Sequence, residues 1–416
     1  MSTSDSNTSP KNRFGPLAIM VSLFFLFGFI TVMNEIIVPE LQNLFNLSFL
    51  ESSFVQSSFF LAYFLCAFPA GWLITKVGYK KGILIALVIL VIGLVLFIIT
   101  PSYHNFYLVL GSLFVMGVGI TIAQVVANPY IVALGTRETA SSRLNLAGGF
   151  NSLATTVNTI IGGSMLLVAS DNMNAEEIIH SMRNPYFIMA GVVILLGILI
   201  YISKLPEIKY DDIQESKMEI GRLFKFKNLV LGAFAIFFYV GAEVSIGNVL
   251  IKYLQQPKMG GFTKDSAFWY VALYSVGAMV GRVVGFFTLQ KIKAERGLIF
   301  VSIMAVYFVF VGMFTSGMVS RSCILMLGLC NSIMWPCIFP LAISGLGRYT
   351  TQGSGLVITM VVGGAIIPVF QAYLAENVIG YNLSFVVVLL CYVYILYYAL
   401  VGHKLVAKTI NQPTLQ

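Results

Sequence analysis

Two carboxylic acids stand where a sequence rarely tolerates them. Glu35 and Glu243 each interrupt a run of apolar residues long enough to cross a membrane, whereas almost every other acid falls in a polar segment or at the end of an apolar run. A charged group at the centre of a membrane helix costs roughly 2.5–3.5 kcal/mol on insertion scales. It is retained where it faces the protein interior, and there it marks a solute or proton path; the bland alternative is a carboxyl hydrogen-bonded to a neighbouring helix. Amides gather in the same runs. Asn34 precedes Glu35, Gln124 and Asn128 share one helix face, Asn145, Asn151 and Asn158 fall roughly along another, and Asn248, Asn331 and Gln371 follow. An amide both donates and accepts hydrogen bonds. A cavity lined by amides and carboxylates, with aromatic faces such as Tyr239, Phe150 and Trp335, suits a polyhydroxylated solute. For any single amide, a hydrogen bond that glues two helices together is an equal reading. The candidate proton-coupling residues are therefore Glu35 and Glu243. The candidate solute-binding residues are Asn34, Gln124, Asn128, Asn151, Asn248, Asn331, Trp335 and Gln371.

Other chemistries find little support. Cys323, Cys330 and Cys337 recur every seven residues, but seven residues of helix rise about 10 Å. That is too far for one ion with zinc–sulfur bonds of about 2.3 Å, so they read as small packing residues and no metal site is expected. The three histidines, His104, His180 and His403, sit in loops or tails. No hydrolytic triad and no phosphate-binding loop occurs, which argues against an enzyme and against an ATP-driven pump. The formal net charge of +8 does not point to nucleic acid, because the basic residues form short clusters between apolar runs rather than a stripe with interleaved aromatics.

The elements that must position these groups are membrane helices. The chain has 416 residues, 58% hydrophobic and 10% charged; a soluble domain is typically about a quarter charged. Apolar stretches at 16–39, 54–76, 82–100, 106–134, 144–169, 184–203, 228–254, 265–290, 297–315, 322–346, 354–376 and 382–402 are each long enough for a hydrocarbon layer of roughly 30 Å. Lipid requires them to be helical. Residues 1–14 are mostly polar and read as a cytosolic tail rather than a cleavable signal, since the first apolar run is too long for one. An even number of spans puts both termini on one side. With that side cytoplasmic, about 20 of the 25 basic residues are cytoplasmic, leaving outside Arg183, Lys252, Lys258, Lys264 and Arg321. The longest internal polar segment, 204–227, divides the chain into halves at 15–203 and 228–402, with a tail at 403–416. Glu35 and Glu243 are 208 residues apart, Pro129 and Pro336 are 207 apart, and Gly71 and Gly285 are 214 apart. These offsets suggest a duplicated six-helix unit, and such repeats place a substrate between the halves near the bilayer midplane. Pro129, Pro336 and Pro340 are expected to break the fourth and tenth spans.

Several stretches carry a family resemblance. GWLITKVGYKK at 71–81 is similar to a loop motif between the second and third helices of the major facilitator superfamily, with Thr75 where an acid is usual. Asn34-Glu35 with Pro39, QVVANPY at 124–130, RLNLA at 143–147, FNS at 150–152, YVGAEVSIG at 239–247, NSIMWP at 331–336 and GGAIIP at 363–368 resemble the fucose–galactose–glucose/proton symporter family within it. They occur in order across both halves. The resemblance implies an all-α integral membrane fold of twelve helices in two pseudo-symmetric halves, and sugar uptake driven by a proton gradient through alternating access. It implies no cofactor, a small sugar and the lipid bilayer as partners, no nucleic acid, a monomer, and a multi-pass protein of the cell membrane, the inner membrane in a bacterium. Sodium coupling is the rival driving force; an exporter of drugs or metabolites, or a sugar receptor, is the rival class.

By the same resemblance Glu35 falls on a proton-titrating position of the first helix, and Asn151 on a sugar-contact position. Gly71, Lys76, Gly78, Lys80, Arg143 and Arg282 fall to gating and the cytoplasmic loops. The departures are informative. Gln124 replaces an acid of the fucose carriers and, with Glu243, resembles the glucose/galactose branch. Gly148 replaces a usual sugar-binding Gln, and Gln371 replaces a usual Gly. Either the amide has moved across the cavity, or Gly148 makes room for a bulkier sugar such as an N-acetylated one.

Overall fold

The computed structural model describes residues 14–47, 49–166, 175–206 and 220–405. Most of the N-terminal tail, part of the central linker and most of the C-terminal tail lie outside these described residues. The rest is almost wholly helical, because long apolar runs can satisfy their backbone groups only within themselves. The spans are α1 (Phe14–Ile36), α2 (Phe49–Val77), α3 (Tyr79–Ile99), α4 (Phe106–Ala133), α5 (Ala140–Leu166) and α6 (Ala175–Ile202) in the first half. The second half holds α7 (Lys227–Leu254), α8 (Lys264–Thr288), α9 (Ala294–Phe314), α10 (Gly317–Asn331 with Met334–Ala342), α11 (Thr350–Thr359 with Gly363–Asn377) and α12 (Gly380–Ser384 with Val386–Leu400). Ten are long and apolar enough to cross a membrane on their own, and the two pieces of α10, bent by 40°, make an eleventh. The twelfth, α5, is 27 residues long but diluted by Asn, Ser, Thr and Gly. Its polarity belongs to the interior, since it packs between α1 and α8.

Local signals set the ends. The Asn105 side chain accepts from the Tyr107 and Leu108 amides and caps α4. Gly78, at φ +81°, turns α2 into α3 without the strain a β-carbon would add. Basic side chains close helix C-termini, where carbonyls lack partners. Lys80 donates to the carbonyls of Tyr201 and Ser203 at the end of α6. Arg143 donates to those of Ile131 and Val132 in the last turn of α4 and of Thr136 just beyond it.

The prolines act differently from expectation. Helix α4 runs through Pro129 without a break. The carbonyl that Pro129 leaves without a helical donor is that of Val125, and it accepts instead from the Ser354 hydroxyl of α11, at 3.1 Å. Breaks occur in α10, just before Pro336, and in α11, where residues 360–362 tighten into a 3-10 turn.

The halves share one plan. Helix α5 lies along α1 as α11 lies along α7, and α2 meets α11 as α8 meets α5. Gly28 of α1 abuts Asn151 of α5, and Gly241 of α7 abuts Gly363 and Ile367 of α11. Gly28 and Gly241 are 213 residues apart. In this register Glu35 corresponds to Asn248, and Glu243 to Ile30, so the two glutamates are not equivalents. Gly71 and Gly285, 214 residues apart and so one residue out of this register, play alike parts: each lies at an interface between the halves.

Candidate functional site

A cavity of about 210 Å³ opens between the halves, lined by Phe24, Tyr63, Gln124, Leu144, Gly148, Asn151, Tyr239, Val240, Glu243, Arg282, Trp335 and Val361. At about 30 Å³ per water, that is space for about seven waters, enough to admit a small polyhydroxylated solute. Its wall is of two kinds. Trp335, stacked on Phe339 and tilted against Tyr239, presents aromatic surface. Gln124, Asn151, Glu243 and Arg282 present polar groups.

Each polar side chain is held from behind. The Gln124 amide donates to the Tyr63 hydroxyl at 2.8 Å, tying α4 to α2. Asn151 donates to the Phe24 carbonyl at 2.9 Å, fixing α5 against α1. Glu243 is half-buried, with the Tyr239 hydroxyl and the Arg282 guanidinium as its electrostatic neighbours. Arg282 donates across the halves to the Gly148 carbonyl at 2.5 Å. A carboxylate and a guanidinium therefore face one small cavity together with two amides, an arrangement able to bind hydroxyls and to change its net charge by taking up one proton.

The cavity is sealed on the side where α1 begins and α12 finishes. Cross-half hydrogen bonds there join Tyr79 to Thr351, Ser142 to the Phe286 carbonyl, Asn145 to the Arg282 carbonyl and Ser354 to the Val125 carbonyl. At the cavity itself the Trp335 indole donates to the Asn128 side chain at 3.4 Å. On the opposite side Glu35 is exposed. It lies eleven residues beyond Phe24, which is about 16 Å of helix rise and within about 20° of the same face. Glu35 therefore stands above the cavity, toward its open mouth, and so does the exposed Asn248 on α7.

Comparison with known proteins gives the same architecture. The sequence profile of the Major Facilitator Superfamily matches residues 19–368. The chain belongs to the major facilitator superfamily. Among relatives in this superfamily, a glucose/galactose transporter of Brucella abortus is 41% identical over 400 residues, covering 96% of this chain and 97% of that protein. The L-fucose-proton symporter of Escherichia coli is 28% identical over 404 residues, covering 92% of each chain. The crystal structure of FucP, a superfamily transporter in the outward conformation, superposes with a TM-score of 0.85 at 27% identity, covering 93% of this chain and 98% of that one.

Within this superfamily fold the remaining sequence candidates take other places. Asn128 is fully buried and divides its hydrogen bonds between the Gln124 carbonyl and Trp335. Asn34 accepts from the Tyr186 hydroxyl of α6 at 2.8 Å, behind α1. Asn331 donates to Tyr274 and accepts from Tyr392, which binds α8, α10 and α12 into one buried network at the break in α10. Gln371 is fully buried and donates to Ser384 of α12. None of these four lines the cavity, nor does the exposed Phe150. The idea that an amide moved from 148 to 371 across the cavity is thereby corrected, since Gln371 faces a neighbouring helix of its own half. The idea of a vacated space is corrected as well, since the Arg282 guanidinium occupies it. Arg282 also departs from its expected place among the gating loops: it sits within α8, six residues before the helix end at Thr288.

Of the other gating candidates, Gly71 packs directly on the Thr351 carbonyl of α11. Lys76 stacks over the Trp72 ring at 3.8 Å, and Gly78, Lys80 and Arg143 shape helix ends as described. Sequence reasoning missed Tyr63 and Phe24. Tyr63 reads as one aromatic residue among many in α2, and it is the fold that puts it in the cavity wall and in hydrogen-bond reach of Gln124.

Proposed function

We propose that this protein is a proton-coupled symporter of hexoses of the glucose/galactose kind, working by alternating access. The observation that carries the reading is one cavity between two six-helix halves, sealed at one end, in which Glu243 and Arg282 face two amides and an aromatic wall. The 41%-identical glucose/galactose transporter and the more distant L-fucose-proton symporter support it.

In this reading the sealed end is cytoplasmic and the open mouth faces outward. The excess of Lys and Arg in the loops of the sealed end supports that orientation. Both termini are then cytoplasmic, and the protein is a monomer in the lipid bilayer of the bacterial inner membrane. The two halves, 15–203 and 228–402, rock about the cavity, joined by the linker at 204–227. Glu35, at the mouth, meets protons first, and Glu243 carries one through the cycle. The sugar is held by Gln124 and Asn151, with Trp335 and Tyr239 against its apolar face. Uptake of a proton by Glu243 neutralises the carboxylate beside Arg282 and frees the guanidinium for sugar hydroxyls. Opening of the sealed end, where proton activity is lower, reverses both steps.

Uptake into proteoliposomes tests this directly. Labelled glucose, galactose, fucose and N-acetylglucosamine are offered with an inward pH gradient, an inward sodium gradient, or neither. Accumulation of glucose or galactose under the pH gradient alone is expected. Accumulation that follows sodium, or uptake of none of these sugars, overturns the reading.

A further inference from the structure

The seam between α5 and α8 has an unusual register. Ser142, Asn145 and Gly148 of α5 recur every three residues and meet one stretch of α8. Ser142 donates to the Phe286 carbonyl, Asn145 donates to the Arg282 carbonyl, and the Gly148 carbonyl accepts from the Arg282 side chain. The third bond exists because residue 148 has no side chain. A β-carbon there would lie 2.8 Å from Arg282 Nη1, and the next nearest atoms, at 3.6 and 4.0 Å, belong to the same arginine. Arg282 is also the one cation among the described residues that line the cavity, and its Nε is a buried donor without a partner. A guanidinium has five N–H donors in a rigid fork, and the Gly148 carbonyl occupies one nitrogen.

We infer that Gly148 and Arg282 form one specificity unit. Arg282, reaching from the second half, supplies the solute with the donor that a side chain at 148 would otherwise supply, and at the same time bolts the halves together at the cavity floor. A side chain at 148 and the guanidinium exclude each other. The consequence is that sugar recognition and closure of the sealed end use the same group. A solute that engages the guanidinium competes with the Gly148 carbonyl, so binding itself loosens the seam that must open for release. The inference rests on the sugar-symport reading for the identity of the solute, but the mutual exclusion does not.

A double-mutant cycle tests it. KM and Vmax for labelled glucose and galactose are measured in proteoliposomes for the native protein, Gly148→Ala, Gly148→Gln, Arg282→Gln and the Gly148→Gln/Arg282→Gln double variant. The melting temperature of each purified form is measured in parallel and needs no solute. Gly148→Ala serves if the larger variant fails to fold, because the atom nearest its β-carbon is the far end of a flexible side chain. Each single substitution is expected to raise KM about tenfold, with a smaller change in Vmax, and to lower the melting temperature. The double variant is expected to be no worse than Arg282→Gln alone in either measure. Additive effects in the melting temperature overturn the mutual exclusion. Gly148 variants with KM within about twofold of native overturn the role in recognition. If the native protein moves no sugar, the symport reading and the recognition role fail together, while the melting-temperature cycle still decides the bolt.

Discussion

Where α5 meets α8, the halves are joined by hydrogen bonds; where α2 meets α11, they are joined by backbone pressed against backbone. The two seams occupy equivalent places in the duplicated plan and close the same end of the cavity. In the first, Ser142, Asn145 and Arg282 each reach a carbonyl of the other half. In the second, a β-carbon at Gly71 would meet the Thr351 carbonyl at 2.8 Å, and one at Gly355 would meet the Ala67 carbonyl at 2.6 Å. The hydroxyl pair of Tyr79 and Thr351 adds a polar contact at that seam's margin. Hydrogen bonds to carbonyls can be exchanged one by one for water or solute as a seam opens. Close packing of small residues admits no such intermediate, since a backbone is either in contact or apart. One seam is thus suited to sense what the cavity holds, and the other to make closure all-or-none.

The largest expected effect breaks the packed seam. Gly71→Leu places a branched side chain against the α11 backbone, which has no flexible end to move aside. Overpacking of this kind costs about 3 kcal/mol, or roughly a hundredfold in the population of the sealed state. The variant should bind sugar from the mouth yet show a Vmax reduced by about that factor. Substrate binding measured by calorimetry, set beside proteoliposome uptake, separates the two. Equal transport by the variant would mean that this seam need not close.

The second effect concerns the sensing seam. Glu243 faces the guanidinium that bolts α5 to α8, whereas Glu35 is exposed at the mouth. Glu243→Gln should abolish sugar accumulation under a pH gradient while leaving exchange of labelled for unlabelled sugar in place, because a permanently neutral group can bind but not be driven. Glu35→Gln should retain accumulation, lowered by no more than about threefold, since the carboxyl lost lies toward the entrance and outside the cavity wall. The reverse pattern would move the coupling group from the cavity to the mouth.

Much of this was legible in the sequence, and the gaps have physical causes. Helix number, the two halves and the buried amide-bearing helices follow from hydropathy, because lipid leaves the backbone few choices. Glu243 was legible as a cavity group for the same reason. What periodicity could not decide was which side of a crowded helix each amide faces. Asn331 and Gln371 have the composition of binding residues, but they are consumed by Tyr274, Tyr392 and Ser384 in their own half. Arg282 was misplaced because a basic residue near a helix end ordinarily belongs to the interface, and no local signal reveals that a glycine 134 positions earlier holds a space open for it. The glutamate pairing failed because an offset of 208 is close to the true register of 213 without being in phase with the helix. Five residues rotate a side chain by about 140°.

A smaller effect sharpens the comparison from the polar side. Ser142→Ala removes one hydrogen bond of the α5–α8 seam without adding volume. A net loss of about 1 kcal/mol shifts the sealed-to-open balance by roughly fivefold. Steady-state uptake should change by no more than that factor and could rise, if opening of this end limits the cycle. The corresponding change at the packed seam, Thr351→Val, removes only a marginal hydroxyl and should alter uptake less. If both give the same shift, the seams do not differ in kind.

The smallest effect lies at the opposite end and serves as the control for all the others. Lys252 of α7 and Glu376 of α11 form an ion pair at 2.5 Å, with the Tyr381 hydroxyl also donating to Glu376, but both charged side chains are about half exposed, at 53% and 47%. These helices belong to the same half, so the pair does not span the cavity and moves as part of one body when the halves rock. Exposed ion pairs are weak because water screens them and two long side chains must be ordered to make them. Lys252→Met should therefore change KM and Vmax by less than about twofold at physiological salt, and less still at high salt. The same substitution would have a large effect only if the mouth closed by bringing Lys252 or its freed partner Glu376 against the first half, where the exposed Glu35 stands. A salt-dependent loss of Vmax in Lys252→Met would thus reveal a third, electrostatic seam formed when the mouth shuts, and would make the contrast between packed and bonded closure specific to the sealed end.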